Sequence, residues 1–122
     1  MPLKIVIAED FLDTAEMLAE YFSAAGHAVF ICRDGLQAMA ALQSEAPDFA
    51  ILDIGMPKLT GLEVVRRAKA EPWGKDIIYV GLSGHGSAAD FKAAKIAGFD
   101  YYLVKPPDFD VLDEIFASVK QR

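Results

Sequence analysis

The sequence predicts an α/β domain in which a parallel sheet is covered by helices on both faces. Two observations support this class. Five short apolar runs are each bounded by Gly, Asp, Pro or Lys, and segments with helical periodicity lie between them. Strands that alternate with helices in this way form parallel sheets through right-handed crossovers. Because the runs are continuously apolar rather than alternating, we expect all five strands to be buried on both faces.

The five predicted strands are short, and Gly, Asp, Pro or Lys flank each of them. These flanking residues are typical of the turns that end strands. The strands cover residues 5–8, 29–32, 49–52, 77–82 and 101–104.

Three of the predicted helices are identified by their apolar stripes. The first covers residues 11–25 and the second 36–45, with Gly26 and Pro47 as stop signals. The last begins after Asp108 and has the clearest apolar period. Their stripes consist of Ala15, Leu18, Phe22, Ala38, Ala41, Leu42, Leu112, Ile115, Phe116 and Val119.

The other two helices are identified by their starts. Thr60 and Glu63 form a capping-box pattern, in which each side chain satisfies the backbone donor of the other residue. The fourth helix begins near Ser87 and ends at Gly98. We expect Phe91 and Ala94 to form its apolar face.

Composition excludes several classes of function. The chain is 53% hydrophobic and 25% charged, which is typical of a globular protein, and we expect residues 1–122 to form a single domain. The net charge of −6 disfavours direct binding to nucleic acid or to an anionic membrane. The single cysteine, Cys32, excludes an internal disulfide and fits a reducing cytoplasm. Every apolar run is too short to span a membrane, so we predict a cytoplasmic protein.

Polar residues follow four of the predicted strands at the point where each strand ends. Glu9 and Asp10 follow the first strand, and Asp53 ends the third. Ser83 ends the fourth, and Lys105 follows the fifth. The carboxyl ends of parallel strands meet at one edge of the sheet, where such folds bind ligands. Three acids, a hydroxyl and an ammonium are therefore expected to converge there.

This convergence points to a metal and to phosphoryl chemistry. Three adjacent carboxylates repel one another, and a hard divalent cation relieves that repulsion. Mg²⁺ prefers oxygen ligands and shares its coordination shell with phosphate, so the three acids suit it, and a carbonyl near Gly55 would add a ligand. Asp53 would then attack phosphorus as a nucleophile. Lys105 would neutralise charge on the transferring group, and Ser83 would hydrogen-bond one of its oxygens.

Each of these residues has a simpler explanation when it is taken alone. An aspartate at the end of a strand is usually a turn residue or a helix cap, and Glu9-Asp10 would suit the start of the first helix. Ser83-Gly84 is an ordinary turn, and Lys105 is an ordinary surface charge. Their joint placement at one edge is what favours a functional site.

At this point the chain resembles the receiver domains of bacterial two-component response regulators along nearly its whole length. The resemblance implies a flavodoxin-like (βα)5 fold, with a doubly wound parallel sheet of five strands in the order 2-1-3-4-5. Of the shared motifs, the Asp-x-x-Met-Pro-x-x-x-Gly run is the most specific. The segments that carry the resemblance are Glu9-Asp10, Asp53-Ile54-Gly55-Met56-Pro57 with Gly61, Ser83-Gly84 and Val104-Lys105-Pro106.

The family also implies a function. A sensor histidine kinase, or a histidine phosphotransfer protein, would pass a phosphoryl group from phosphohistidine to Asp53. The positions that bind Mg²⁺ in the family correspond to Glu9, Asp10 and Asp53 and the backbone carbonyl of Gly55. Ser83 and Lys105 correspond to the residues that contact the phosphoryl group.

The resemblance extends to the output of such domains. Tyr102 lies at the position of the family's switch aromatic, although an edge-strand aromatic with its hydroxyl in water is the simpler alternative. When Ser83 and Tyr102 move, the face of the fourth helix, fifth strand and fifth helix changes its partners, and homodimers are a further hypothesis. The Lys105–Pro106 bond is a candidate for the cis form. Gly55 and His85 lie where the family tunes hydrolysis of the acyl phosphate.

Three other functions compete with this interpretation. A flavin-binding electron carrier would need a Ser/Thr/Gly-rich phosphate loop after the first strand, where this chain has Glu9-Asp10-Phe11. An aspartate-nucleophile phosphatase would need an Asp-x-Asp motif on that strand. A receiver-like adaptor that binds partners without phosphorylation stays open. We expect a signalling domain rather than an enzyme. Such a domain promotes only its own phosphotransfer and dephosphorylation.

Overall fold

The computed structural model describes residues 2–56, 58–84 and 86–120. All strand pairs are parallel, and the sheet order is 2-1-3-4-5. This confirms the predicted doubly wound sheet, in which strand order reverses between the first and third strands. The strands are β1 (Lys4–Ala8), β2 (Ala28–Cys32), β3 (Phe49–Asp53), β4 (Ile78–Ser83) and β5 (Tyr101–Val104).

Helices cover both faces of the sheet. Neighbouring residues of each central strand point to opposite faces, so each face presents apolar side chains for helices to cover. Ile5 and Ile7 of β1 pack in a cluster with residues of the first and last helices. Val6 and Ala8 pack in a second cluster with the other three. None of the helices in the described part of the chain is both long enough and apolar enough to cross a membrane. The helices are α1 (Leu12–Ala24), α2 (Gly35–Glu45), α3 (Gly61–Lys69), α4 (Ala88–Ala97), α5 (Phe109–Lys120) and a short 3₁₀ helix, Pro72–Gly74.

The expectation that every strand is buried on both faces is confirmed in the centre of the sheet and wrong at its edges. Apart from the half-buried first residues Lys4 and Ile78, all residues of β1, β3 and β4 are buried. Ile31 on β2 is 40% exposed, as is Val104 on β5. These two strands have a neighbour on one side only, so the helix layers cover them incompletely. A continuously apolar run therefore does not separate central strands from edge strands here.

The predicted apolar stripes of α1, α2 and α5 are buried, apart from Ala41, which is half-buried. The side chain of Val119 lies outside the described part of the chain. At the start of α3, the Glu63 amide donates to Thr60 Oγ1 at 3.3 Å, as predicted. The return bond differs from the prediction, because the Glu63 carboxylate accepts from the Thr60 hydroxyl at 3.2 Å.

The predicted apolar face of α4 needs a correction. Ala94 is buried, as expected, but Phe91 is 42% exposed. The ring of Phe91 lies edge-on against Tyr102, with 4.6 Å between ring centroids, rather than in the core. Small side chains, Ala94 and Ala97, form the buried face instead. Helical periodicity placed Phe91 on the correct side of α4, but the helix lies near the margin of the sheet, where that side meets solvent.

Candidate functional site

Two acids lie side by side where β1 and β3 end. The two strands pair in parallel with Ala8 opposite Leu52, which makes the following residues, Glu9 and Asp53, neighbours. The Glu9 amide donates to the carbonyl of Cys32 on β2 at 3.0 Å. Glu9 is fully buried and Asp53 is 7% exposed. Buried carboxylates are costly unless they are paired, so this arrangement requires a cation.

Lys105 supplies one cation. Its backbone amide donates to the Ser83 carbonyl at 2.7 Å, which continues the pairing of β5 with β4 and directs the chain toward the acids. Lys105 Nζ lies 3.0 Å from Glu9 Oε1, 2.9 Å from Glu9 Oε2 and 3.3 Å from Asp53 Oδ2. One ammonium therefore bridges the two buried carboxylates.

The protonation of this cluster follows from its burial and charges. Burial raises the pKa of Glu9, and the neighbouring charge of Asp53 raises it further, while the hydrogen bond from Lys105 offsets part of this. Burial alone would lower the pKa of Lys105, but the hydrogen bond to Glu9 and the charges of both acids outweigh it, so the pKa is raised. Lys105 is therefore charged at neutral pH.

The cluster also fits a divalent metal ion. Glu9, Asp10 and Asp53 each offer a carboxylate oxygen, and these oxygens lie within 4.8 Å of one another. Glu9 Oε2 is buried, and its partner among the described residues is the Lys105 ammonium at 2.9 Å. The Gly55 amide donates to Asp53 Oδ1 at 3.1 Å, which orients the acid. A set of three carboxylate oxygens suits a hard cation such as Mg²⁺.

A cavity of about 310 Å³ opens beside this cluster. Asp53, Gly55, Ser83 and Tyr102 all line it, so four residues that were singled out in the sequence meet on one cavity. Ser83 is 8% exposed. A side chain at Gly55 would have space among the described residues, because the nearest of their atoms to an added Cβ is Asp53 Oδ1 at 3.9 Å. The structure thus places these four residues on one cavity beside the carboxylates and Lys105.

Sequence reasoning missed other residues near this edge. Asp90, in the first turn of α4, lines the same cavity and was not singled out as a site residue. Arg33 Nη2 lies 3.4 Å from the Asp10 carbonyl, and Asp34 follows at the start of α2. The signal was available, because Arg33 and Asp34 come directly after β2, at the same edge as Glu9. His85 and Pro57 lie outside the described residues, and the predicted cis bond between Lys105 and Pro106 is confirmed.

Comparison with known proteins agrees with this architecture. Residues 5–117 match the family described as "Response regulator receiver domain". The chain is 33% identical over 120 residues to response regulator MprA of Mycolicibacterium vanbaalenii. The aligned residues cover 98% of this chain and 50% of that protein. The chain thus spans about half the length of the curated relatives that it matches.

Solved structures show the same fold. The chemotaxis response regulator CheY4 of Vibrio cholerae superimposes with a TM-score of 0.89 at 26% identity, covering 98% of this chain and 99% of that one. The receiver domain of a sensor histidine kinase from Pseudomonas aeruginosa, solved with a magnesium ion in its active-site cleft, superimposes with a TM-score of 0.86 at 23% identity over 94% of each chain. The carboxyl-edge cluster, the sheet order and the family match together establish that this chain belongs to the receiver-domain family of response regulators.

Proposed function

We propose that this receiver domain accepts a phosphoryl group on Asp53 from a phosphohistidine of a sensor kinase or histidine phosphotransfer protein. The observation that carries the proposal is the Lys105 ammonium lying between Glu9 and Asp53, at 2.9 Å and 3.3 Å. A lysine held there neutralises charge that develops on a group transferred to Asp53. A purely structural ion pair would not need three acids and a cavity at the same edge.

The transfer is a substitution at phosphorus. A carboxylate oxygen of Asp53 attacks the phosphorus atom, an O–P bond forms, and the N–P bond to the donor imidazole breaks. The imidazole leaves with the electron pair of the broken bond. Hydrolysis later reverses the modification: water attacks phosphorus, the O–P bond breaks, and inorganic phosphate leaves Asp53 as a carboxylate. We propose that the domain promotes only these two reactions of its own acceptor.

Mg²⁺ is the cofactor that the residues at this edge support. Glu9, Asp10 and Asp53, with the backbone carbonyl of Gly55, would hold it, and the ion would stabilise negative charge on the phosphoryl oxygens. The three carboxylates support this, since their oxygens lie within 4.8 Å of one another and carry more negative charge than the single Lys105 ammonium offsets. A receiver domain of the same fold, from Pseudomonas aeruginosa, holds magnesium in its cleft.

Signal output is proposed to begin at Ser83 and Tyr102. The Ser83 hydroxyl would donate to a phosphoryl oxygen, and Tyr102 would change position within the shared cavity. The face of α4, β5 and α5 would then bind a different downstream protein or a second copy of the domain. Sedimentation with and without a phosphate mimic tests pairing, and a monomer under both conditions would contradict it.

We also propose that residues 1–122 form one receiver domain that works in the cytoplasm. The family match over residues 5–117 supports the single domain. The buried free thiol of Cys32 fits a reducing compartment. The net charge of −6 favours protein partners over nucleic acid and membranes.

Phosphorylation by a small donor tests the central proposal. The protein would be treated with acetyl phosphate in the presence and absence of Mg²⁺ and weighed intact by mass spectrometry. Asp53→Asn removes the acceptor, and Asp48→Asn is a matched control, because Asp48 is an exposed aspartate just before the other end of β3. We expect one Mg²⁺-dependent phosphoryl group on the wild type and on Asp48→Asn, and none on Asp53→Asn.

The other outcomes are equally informative. A phosphoryl group that survives in Asp53→Asn would mean that another residue is the nucleophile. No adduct on the wild type, either with acetyl phosphate or with a phosphorylated histidine donor, would favour an adaptor that acts without phosphorylation.

A further inference from the structure

The loop that joins β3 to α3, described at residues 54–56 and 58–60, carries Gly55 and directly follows Asp53. Its far end is held against its start. The Gly61 amide donates to the Ile54 carbonyl at 3.1 Å. A Cβ atom at Gly61 would lie 2.5 Å from the Asp53 carbonyl oxygen, so only glycine allows this approach. The start of α3 thus packs directly on the backbone of the proposed acceptor.

The same loop also packs on the start of α2. Leu59 is 6% exposed, and its carbonyl oxygen would lie 1.9 Å from a Cβ atom placed on Gly35, the first residue of α2. The absence of a side chain at Gly35 therefore allows the loop to touch α2. This contact is unrelated to the metal ligands themselves, yet it involves the loop that contains Gly55.

An ion pair lies next to this contact. Lys58 Nζ is 3.3 Å from Asp34 Oδ2, while Asp34 Oδ1 accepts from the Gln37 amide at 2.8 Å and caps α2. One carboxylate thus serves both the helix and the loop. Its side chain is 9% exposed, and the hydrogen bond from Gln37 and the charge of Lys58 lower its pKa, so it is ionised at neutral pH.

The backbone of Lys58 adds a second observation. Its φ angle is +69°, in the left-handed region that residues with a side chain seldom adopt. Asn and Gly are better suited to this conformation than lysine. Lysine is therefore unfavourable at this position on backbone grounds, but its ammonium forms the ion pair with Asp34.

We propose that Asp34 and Lys58 are positioning residues for the cation site, because their ion pair holds the loop that carries Gly55 against α2. This inference rests on the proposed function, in which the Gly55 carbonyl is a metal ligand. Loss of the pair would let the loop move away from α2 and would disturb the Gly55–Asp53 hydrogen bond, 3.1 Å long. Mg²⁺ would then bind more weakly, although no ligand has been removed.

Two substitutions separate positioning from the other roles of these side chains. Asp34→Asn keeps the cap on α2, since Asn caps helices as well as Asp does, but it removes the charge. Lys58→Asn removes the ammonium and tolerates the left-handed φ angle. Lys58→Arg preserves the charge and is the conservative rescue. Lys75→Asn is a matched control, because Lys75 is an exposed lysine before β4, at the opposite end of the sheet.

The sign of the effect distinguishes positioning from simple charge. If the two residues acted on Mg²⁺ only through long-range electrostatics, Lys58→Asn would tighten binding and Asp34→Asn would weaken it. Positioning predicts that both variants bind Mg²⁺ more weakly, by about three- to tenfold, at or below the low end for groups that hold metal ligands. The double variant would then bind Mg²⁺ no more weakly than the more affected single variant, because both changes remove the same ion pair.

The experiment is a Mg²⁺ titration of each variant, followed through backbone amide signals including Gly55. Weaker binding in both single variants, with Lys58→Arg and Lys75→Asn near wild type, is the expected result. Tighter binding in Lys58→Asn, or unchanged binding in both, would overturn the inference while leaving the proposed function intact. Failure of the wild type to bind Mg²⁺ at all would instead contradict the proposed metal site.

A second measurement tests the loop without any metal. Amide hydrogen exchange of Gly61, whose N–H is bonded to Ile54, reports opening of the loop. We expect faster exchange at Gly61 in Asp34→Asn and Lys58→Asn, and wild-type exchange in Lys75→Asn. Unchanged exchange in both variants would show that the ion pair does not hold the loop, whatever the Mg²⁺ titration gives.

Discussion

The two helices that flank the site, α3 and α4, are held very differently. Helix α3 begins at Gly61, which packs against the backbone of Asp53, and it buries Val64, Val65 and Ala68. By contrast, the buried residues of α4 are the alanines Ala94 and Ala97, and Ile96 on the same helix is 76% exposed. A buried valine stabilises a fold by about 1.5–3 kcal/mol, well above what an alanine methyl contributes.

This difference suggests that the two sides of the cavity, which both helices border, have different roles. Elements with few buried apolar contacts open most easily, and moving elements are drawn from them. The β3–α3 side, with Asp53 and Gly55, is suited to hold ligands in place. The β4–α4 side, which follows Ser83, is suited to move under the proposed function. The predictions below test this contrast between a firmly held side and a weakly held side.

The largest expected effect concerns the thiol of Cys32 on β2, which belongs to the same hydrophobic cluster as buried residues of α2 and α3. It is 4% exposed, and burial raises its pKa to about 11. At pH 8 only about 0.1% of it would be thiolate, so we expect its reaction with a disulfide reagent to be at least about 100-fold slower than in the unfolded chain. Absorbance of the released thiol, with and without denaturant, measures this. Rapid reaction of the folded protein would mean that the hydrophobic cluster shared by α2 and α3 opens readily.

The next effect separates two glycines on opposite sides of the cavity. Gly61→Ala places a Cβ atom 2.5 Å from the Asp53 carbonyl oxygen, whereas an added Cβ at Gly84 would have no atom of the described residues within 4 Å. We expect Gly61→Ala to lower the free energy of unfolding by about 1–3 kcal/mol. Gly84→Ala, the matched control, is expected to change it by less than about 0.5 kcal/mol. Urea unfolding measures both, and equal losses would contradict the contrast.

A smaller effect compares the caps of the two helices. Thr60 accepts from the Glu63 amide at the start of α3, and Ser87 accepts from the Asp90 amide at the start of α4. Thr60→Ala is expected to lower the free energy of global unfolding by about 1 kcal/mol. Ser87→Ala is expected to speed amide exchange about fivefold within α4 alone, because that helix opens before the rest unfolds. The assignment of α4 as the weakly held helix would be wrong if Ser87→Ala lowered global stability as much as Thr60→Ala.

The smallest effect is expected at Ile96 on the outer face of α4. Its side chain is 76% exposed, so its replacement removes little packing. We expect Ile96→Ser to change the free energy of unfolding by less than about 0.5 kcal/mol, as measured by urea denaturation. A loss above about 1 kcal/mol would indicate that Ile96 is covered in solution, for example by a second copy of the domain.

Much of the site was predictable because it depends on where strands end. Glu9, Asp53 and Lys105 are separated widely in the sequence, yet each lies at the carboxyl end of a parallel strand, and this alone brings them to one edge. The same rule applied to β2 would have found Asp34. It was overlooked because an aspartate before a helix is explained fully by its role as a cap. A residue that has two roles shows only the local one in its sequence context.

The alternation of strands and helices, and the polar residues that end the strands, could be read from the sequence, because periodicity and strand ends are local properties. The contacts between residues across the fold became known from the three-dimensional structure alone. The complete burial of Glu9, the pairing of Asp34 with Lys58 and the exposure of Phe91 all depend on which helix lies over which strand. These contacts join segments far apart in the chain. Their distances follow from how the layers pack, which no local pattern specifies.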